Sequence, residues 1–104
     1  MNPGDEAWAY KILRRDEWLA FRRDGVFAGS ADDLRDGFIH LSTGQQVEGT
    51  LAKYFPGEPE VVILRIATAP LAGDLRWEPS RGGALFPHLY RPLRLAEVEV
   101  SAAP

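Results

Sequence analysis

The chain has 104 residues, of which 45% are hydrophobic and 26% are charged, and its formal net charge is −3. This length predicts a single domain over residues 1–104, large enough to bury a core without metal or disulfide staples. The negative charge argues against strong nucleic-acid binding and against an anionic membrane surface, because both need a basic field. With no cysteine, thiol chemistry and cysteine-ligated zinc are excluded.

Residues 1–6 read as a polar leader that we expect to be frayed. They lack the basic and the apolar parts of a signal peptide. No apolar run approaches the roughly 20 residues of a membrane span. Together with the lack of cysteine, these features predict a cytoplasmic protein, and a monomer is the default oligomeric state.

The first half of the chain predicts short helices between strands. The expected elements are a strand over 7–13, a helix over 17–23, a very short helix ending near residue 37, a strand over 38–42 and a helix ending at 56–57. Asp16 is the expected cap of the first helix and Gly25 its stop. Ser30 and Asp33 have capping-box spacing for the second helix.

The third helix has a similar signal at its start. Thr43 is the expected N-cap, with Gln46 reaching back to its amide. Farther on, residues 60–68 form the most apolar and β-branched run, which predicts a central strand. Further strands are expected over 75–78 and 95–100. These elements predict a small α+β domain with its helices in the N-terminal half.

One candidate site wall is the predicted strand over 38–42. Its alternation places His40 and Ser42 on one face, while Ile39 and Leu41 face the other way. Thr43 follows at the start of a helix, where backbone amides hold anions. The alternative is that His40 bonds a loop carbonyl and that the two hydroxyls only cap the helix.

A second candidate wall is the segment 77–90, which we expect to be an irregular loop rich in reactive side chains. Arg81 precedes two glycines, so its guanidinium could approach and clamp a phosphate or carboxylate. Glu78 is a candidate general base, or a partner of Arg81 or of a ribose hydroxyl. The alternative for both residues is a solvated surface role.

The same segment carries the chain's second histidine. His88 and Tyr90 flank Leu89, so an extended backbone places both on one side. Trp77 is a candidate for stacking on a ligand ring, although a core role is the alternative. Two histidines without cysteine are a poor metal set, and no metal is predicted. The two walls are expected to border one cleft.

Several short motifs, in the order in which they occur along the chain, resemble those of one small bacterial family, called domain of unknown function 952. The resemblance covers roughly residues 8–100. It is carried by Tyr10-Lys11-Ile12, Trp18, Asp36-Gly37-Phe38-Ile39-His40-Leu41-Ser42-Thr43, Tyr54-Phe55, Leu75-Arg76-Trp77-Glu78 and Phe86-Pro87-His88-Leu89-Tyr90. By similarity that family is grouped with the ADP-ribosyltransferase-like fold, which includes the RNA 2′-phosphotransferases. The resemblance therefore implies a small mixed sheet of that type.

The resemblance also implies a site and a ligand class. The ligand expected is NAD, ADP-ribose or a nucleotide phosphate, with NAD as the possible cofactor and a transferase as the possible activity. The alternative is a non-catalytic module for a ligand or a protein that keeps the fold without the chemistry. The implied catalytic residues are His40, Glu78 and His88, and the implied ligand-binding residues are Ser42, Thr43, Trp77, Arg81 and Tyr90.

Overall fold

The structure, a computed structural model, describes residues 6–103, with the side chain of Arg81 excepted. Of the predicted frayed leader 1–6, residues 1–5 therefore lie outside the described range. The α-helices in this range are α1 (Arg15–Asp24), α2 (Ala31–Asp36) and α3 (Val47–Tyr54). The strands are β1 (Trp8–Leu13), β2 (Val26–Phe27), β3 (Ile39–His40), β4 (Val62–Ala67), β5 (Leu75–Pro79), β6 (Leu85–Leu89), β7 (Leu93–Arg94) and β8 (Val98–Ala102).

The first sheet has the order β1-β4-β8, and both pairings are antiparallel. Strand β4 lies in the middle, as the apolar run over 60–68 predicted. Its buried residues Val62, Leu64 and Ile66 alternate with less buried ones, so one face of the strand packs into the core. Helix α1 adds Phe21, which is buried in the same core.

The third sheet has the order β3-β6-β5 and corrects one expectation. The segment 77–90 was predicted to be an irregular loop, but most of it forms an antiparallel hairpin of β5 and β6. The register runs from Leu75 opposite Leu89 to Pro79 opposite Leu85. Prolines and reactive side chains interrupt the strand pattern in this segment, so β6 was not recognised in the sequence. The tip is closed by the amide of Ser80, which donates to the carbonyl of Ala84 at 2.9 Å.

Backbone hydrogen bonds connect the first and third sheets. The Tyr10 amide donates to the Ser42 carbonyl at 2.7 Å, and the Ser42 amide donates to the Tyr10 carbonyl at 2.9 Å. The pair β2-β7 forms a separate antiparallel ribbon. These connections bring β1 and β3 side by side, so that residues from both strands border one space.

The ends of the first two helices show where the capping rules succeed and fail. Helix α1 begins after Arg14, whose amide donates to the Glu17 carboxylate at 2.8 Å, so the prediction that Asp16 caps this helix was wrong. Gly25 ends α1 in the left-handed conformation with φ of 76°, as expected. Ser30 caps α2 by accepting from the amide of Asp33, which confirms that capping box.

Helix α3 begins later than its sequence signal. The Thr43 amide donates to the Gln46 side chain at 3.0 Å as predicted, yet residues 44–46 form a turn and the helix starts at Val47. Thr43 is therefore not the N-cap. Two strands also depart clearly from their predicted bounds. Strand β3 covers two residues of the expected 38–42, and a 3₁₀ turn at Leu95–Glu97 delays β8.

Candidate functional site

The carboxylate of Asp33 is the buried centre of a polar cluster between α2, β1 and β3. Asp33 is only 2% exposed, and it faces inward because the capping box of α2 turns it toward the Ser30 amide. Its Oδ2 accepts from Lys11 Nζ at 2.9 Å. Its Oδ1 lies 2.6 Å from Nδ1 of His40 and accepts from the His40 amide at 3.1 Å.

These contacts keep Asp33 ionised. Burial alone would raise the pKa of this carboxyl, but the hydrogen bond from His40 and the charge of Lys11 outweigh it and hold the pKa below its usual range. Lys11 Nζ also donates to the His40 carbonyl at 3.1 Å. The buried ammonium and carboxylate thus neutralise each other, and both hold the β3 backbone at His40.

The second ring nitrogen of His40 faces another carboxylate. Nε2 lies 2.9 Å from Oδ2 of Asp36, the last residue of α2. An imidazole donates from both nitrogens only in its protonated form. Asp33 and Asp36 thus flank the two ring nitrogens of His40, so this imidazole lies between two carboxylates.

His88 lies in a different environment. Its Nδ1 is 2.9 Å from Oε1 of Glu78, and the Tyr90 hydroxyl donates to the same oxygen at 2.6 Å. The hydrogen bonds from Tyr90 and His88 hold the pKa of Glu78 below its usual value, so Glu78 is an anionic acceptor. A carboxylate at Nδ1 fixes that nitrogen as the donor, and Nε2 is then the basic one.

Burial decides the charge of His88. The ring is nearly inaccessible, and this desolvation lowers the pKa of His88 below its ordinary value despite the opposing hydrogen bond from Glu78. His88 is therefore neutral near pH 7, where an imidazole is able to accept a proton. The hydrogen bond to Glu78 raises the pKa of Tyr90, which keeps the phenol protonated.

The two histidines are direct cross-strand partners on β3 and β6. Their ring centroids are 5.6 Å apart and their planes are nearly perpendicular, at 70°. Phe38 contacts both, stacking on His88 at 4.0 Å and meeting His40 at 4.6 Å. The sheet register alone thus places the rings side by side on one face.

A cavity of about 270 Å³ lies along this face. Both histidines line it, and so do Asp33, Asp36 and Lys11. Ser42 lines the same cavity, with its Oγ 2.9 Å from Oγ1 of Thr50. The aromatic side chains of Tyr10, Tyr54 and Phe86 extend the wall. The space is therefore polar near the histidines and has apolar surface elsewhere.

The predicted site residues are thus only partly brought together. Glu78 and Tyr90 reach the site through His88 rather than by lining the cavity. Trp77 is the cross-strand partner of Pro87, the residue next to His88. Because side chains alternate along a strand, Trp77 lies on the opposite face of the sheet from His88 and does not contribute to this cluster. Thr43 is buried and does not line the cavity. The side chain of Arg81 lies outside the described part of the chain.

Some residues of the site were missed from the sequence. They are Lys11, Asp33, Asp36 and Phe38. Lys11 lies in a strand whose neighbours are apolar, and a lysine at such a position signals a buried partner. Asp33 was recognised only as half of a capping box, which accounts for its local bond but not for its contacts with β1 and β3. Among the described residues, no group of histidine and acidic side chains could hold a metal ion.

Comparison with known proteins shows the family to which the chain belongs. The family described as Protein of unknown function (DUF952) matches residues 12–101. The chain belongs to this family. Among curated proteins, none matches the chain significantly. In the described range, no helix is long and apolar enough to cross a membrane.

Solved structures of one bacterial protein are similar to this fold. A crystal structure of protein CC0527 from Caulobacter crescentus is 54% identical and superposes with a TM-score of 0.84, covering 93% of this chain and 83% of that one. The solution NMR structure of CC0527 is 56% identical with a TM-score of 0.79, covering 88% and 79%. Neither structure is described as an ADP-ribosyltransferase or a phosphotransferase. The expected likeness to the ADP-ribosyltransferase-like fold therefore stays a prediction.

Proposed function

We propose that the cavity binds a small phosphate-bearing or nucleotide ligand and that His40 and His88 transfer protons to and from it. The observation that carries this proposal is that two neighbouring imidazoles on one cavity lie in different electrostatic environments. His40 lies between two carboxylates, whereas His88 has one carboxylate and is desolvated. Pairs of groups with opposed environments are the usual mark of an acid and a base.

The hydrogen bonds support one role for each group in this proposal. His88 is the base: Glu78 fixes its Nδ1 as donor, and Nε2 accepts a proton from the ligand. His40 is the acid, held by Asp33 on one side and able to give up the proton on Nε2. Glu78 and Asp33 are positioning residues that set the orientation of the two rings.

Basic side chains at the cavity favour a phosphate-bearing ligand. Lys11, Arg14 and Arg35 line it, and a guanidinium matches phosphate oxygens with two parallel donors. Acidic residues line the cavity too, and they pair with these cations: Asp33 with Lys11, Glu17 with Arg14, and Asp32 and Asp36 with Arg35. Arg81 follows Ser80, which lines the cavity, and we retain it as a further phosphate clamp. NAD, ADP-ribose and nucleotides are the members of this class to test first.

A thermal-shift screen with NAD, ADP-ribose and nucleoside phosphates tests binding, because a ligand of the native state raises Tm by mass action. For a compound that binds, mass spectrometry then measures NAD cleavage or phosphate transfer. His88→Gln and Glu78→Gln should abolish this turnover. Glu99→Gln is the matched control, since Glu99 pairs with Arg65 on the other sheet. If no phosphate-bearing compound shifts Tm, the proposal is wrong.

One observation favours a second candidate, a binding module without catalysis. Nε2 of His40, the nitrogen that would deliver the proton, already contacts Asp36 within the chain. A ligand could sit in the cavity without reaching it. Binding that raises Tm with no chemical change in the ligand, in the wild-type protein and in His88→Gln alike, would decide for this module.

A further inference from the structure

We propose that His40 Nε2 and the guanidinium of Arg35 form an anion subsite that the Asp36 carboxylate occupies while no ligand is bound. The inference rests on the proposed function in one respect, that the same cavity accepts an anionic ligand. Asp36 would then be a built-in competitor, and the group it imitates is a ligand phosphate or carboxylate.

The geometry around Asp36 is that of a bound anion. Its Oδ2 lies 2.9 Å from His40 Nε2. Arg35 donates to the same carboxylate through Nε to Oδ1 at 2.9 Å and through Nη2 to Oδ2 at 3.2 Å. The hydrogen bonds from Arg35 hold the pKa of Asp36 below its usual value, so it is an anion at neutral pH. An imidazole and a two-pronged guanidinium grip are the donors that a phosphate would use.

The two carboxylates on His40 differ in how firmly they are held. Asp33 is buried and bonded to Lys11, Ser30 and His40 together. The side chain of Asp36 is 32% exposed, and that of its partner Arg35 is 67% exposed. Exposed ion pairs contribute about 0–1 kcal/mol. The Nδ1 side of His40 is therefore fixed, and the Nε2 side is exchangeable.

The backbone also permits the exchange. Asp36 is the last residue of α2, and Gly37 follows it in the left-handed conformation with φ of 87°. A carboxylate at the C-terminal end of a helix is unfavourable to the helix dipole. Turning the Asp36 side chain toward water thus costs little, while an incoming anion would gain both Arg35 and His40.

A ligand cannot enter the subsite while Asp36 fills it. The apparent affinity for the ligand therefore falls as the fraction of time for which Asp36 is bound there rises. If the Asp36–His40 contact persists for about nine-tenths of the time, the apparent Kd is about tenfold weaker than that of the open site. Removing the competitor should recover this factor.

Titration of the full chain with inorganic phosphate tests the inference. Asp36→Ala should bind phosphate about tenfold more tightly than the wild-type protein. Asp32→Ala is the matched control: it removes one negative charge from the same helix and one of the two carboxylates to which Arg35 donates, at 3.2 Å. Because it leaves the Asp36–His40 contact in place, its gain should stay below about twofold.

Two further measurements locate the phosphate. In a ¹H–¹⁵N spectrum of the imidazoles, phosphate should move the Nε2 signal of His40 in Asp36→Ala, with a smaller change at His88. Adding Arg35→Ala to Asp36→Ala should lose the gain, while a thermal melt confirms that each variant is folded. Equal affinities of Asp36→Ala and Asp32→Ala, or weaker binding by Asp36→Ala, would overturn the subsite.

This outcome is independent of the nucleotide screen. A tenfold phosphate gain with no nucleotide hit would keep the subsite and remove the proposed ligand class. A nucleotide hit whose affinity Asp36→Ala does not improve would do the reverse.

Discussion

The imidazole of His88 stacks on the ring of Phe38, with centroids 4.0 Å apart and planes inclined by 22°. Phe38 lies on the same strand face as His40, next to β3. The stack covers a face of His88 that would otherwise meet water, so one phenylalanine contributes to the desolvation that keeps this histidine neutral.

Phe38→Ala should raise the pKa of His88 toward its ordinary value of about 6.5, because burial is the main cause of its low pKa. Phe55→Ala is the control, since Phe55 packs on the Arg14 guanidinium rather than on His88. An NMR titration of the two imidazoles gives the answer. An unchanged or lower pKa of His88 in Phe38→Ala would show that the stack does not set its charge.

Glu78→Gln should move the same pKa in the opposite direction. The Glu78 carboxylate stabilises the charged imidazole, so its loss lowers the pKa of His88 further. Glu99→Gln removes a carboxylate from the other sheet and should leave His88 unchanged. The same titration serves, and a rise in Glu78→Gln would contradict the assigned hydrogen bond.

Asp33→Asn should destabilise the protein by about 3–5 kcal/mol, because it leaves the Lys11 ammonium buried without its counter-charge. Asp32→Asn, on the exposed side of the same helix, should stay within about 0.5 kcal/mol. Urea unfolding monitored by tryptophan fluorescence measures both changes. Similar losses for the two variants would mean that the buried pair contributes no more than a surface one.

The pKa of Asp33 also fixes how stability depends on pH. Unfolded, this carboxyl takes up a proton near pH 4, whereas the folded protein does so only at lower pH. Between these values the unfolded state binds more protons, so the stabilisation is complete above about pH 5 and is lost as pH falls. Asp33→Asn should flatten this part of a plot of unfolding free energy against pH. An identical slope in both proteins would rule out Asp33 as the titrating group.

Gly37→Ala should cost about 1 kcal/mol, since Gly37 ends α2 at a φ of 87° where a side chain is disfavoured. No atom would meet the added methyl group, so the cost is that of the backbone alone. Gly73→Ala has the same open space without the left-handed φ, and it should be neutral or slightly stabilising. Thermal melts of both variants provide the comparison.

The sequence was most informative where one short rule governs the structure. Strand alternation correctly placed the side chains of His40 and Ile39 on opposite faces of their strand, and it placed those of His88 and Tyr90 on one side. Capping chemistry identified Ser30 and the end of α2. Both rules act within a few residues, and tertiary packing agreed with them.

It was least informative where distant segments meet. Asp33 fits a capping box locally, but its bond to Lys11 joins residues 22 positions apart, which no local pattern encodes. Trp77 was expected among the ligand contacts because of its neighbours, yet the hairpin register turns it away from His88. The strand predicted over 75–78 was confirmed as β5, but the irregular composition of 77–90 hid its partner β6, because cross-strand pairing outweighs intrinsic propensity.

The closure of the β5–β6 hairpin has a consequence for insertions at its tip. The amide of Ser80 pairs with Ala84 beyond the last strand residues, and Ser80 borders the cavity, so the tip can lengthen or change without shifting the pairs that hold the histidines. A change of length at residues 80–84 would therefore leave the cross-strand pairing of His40 with His88 in place.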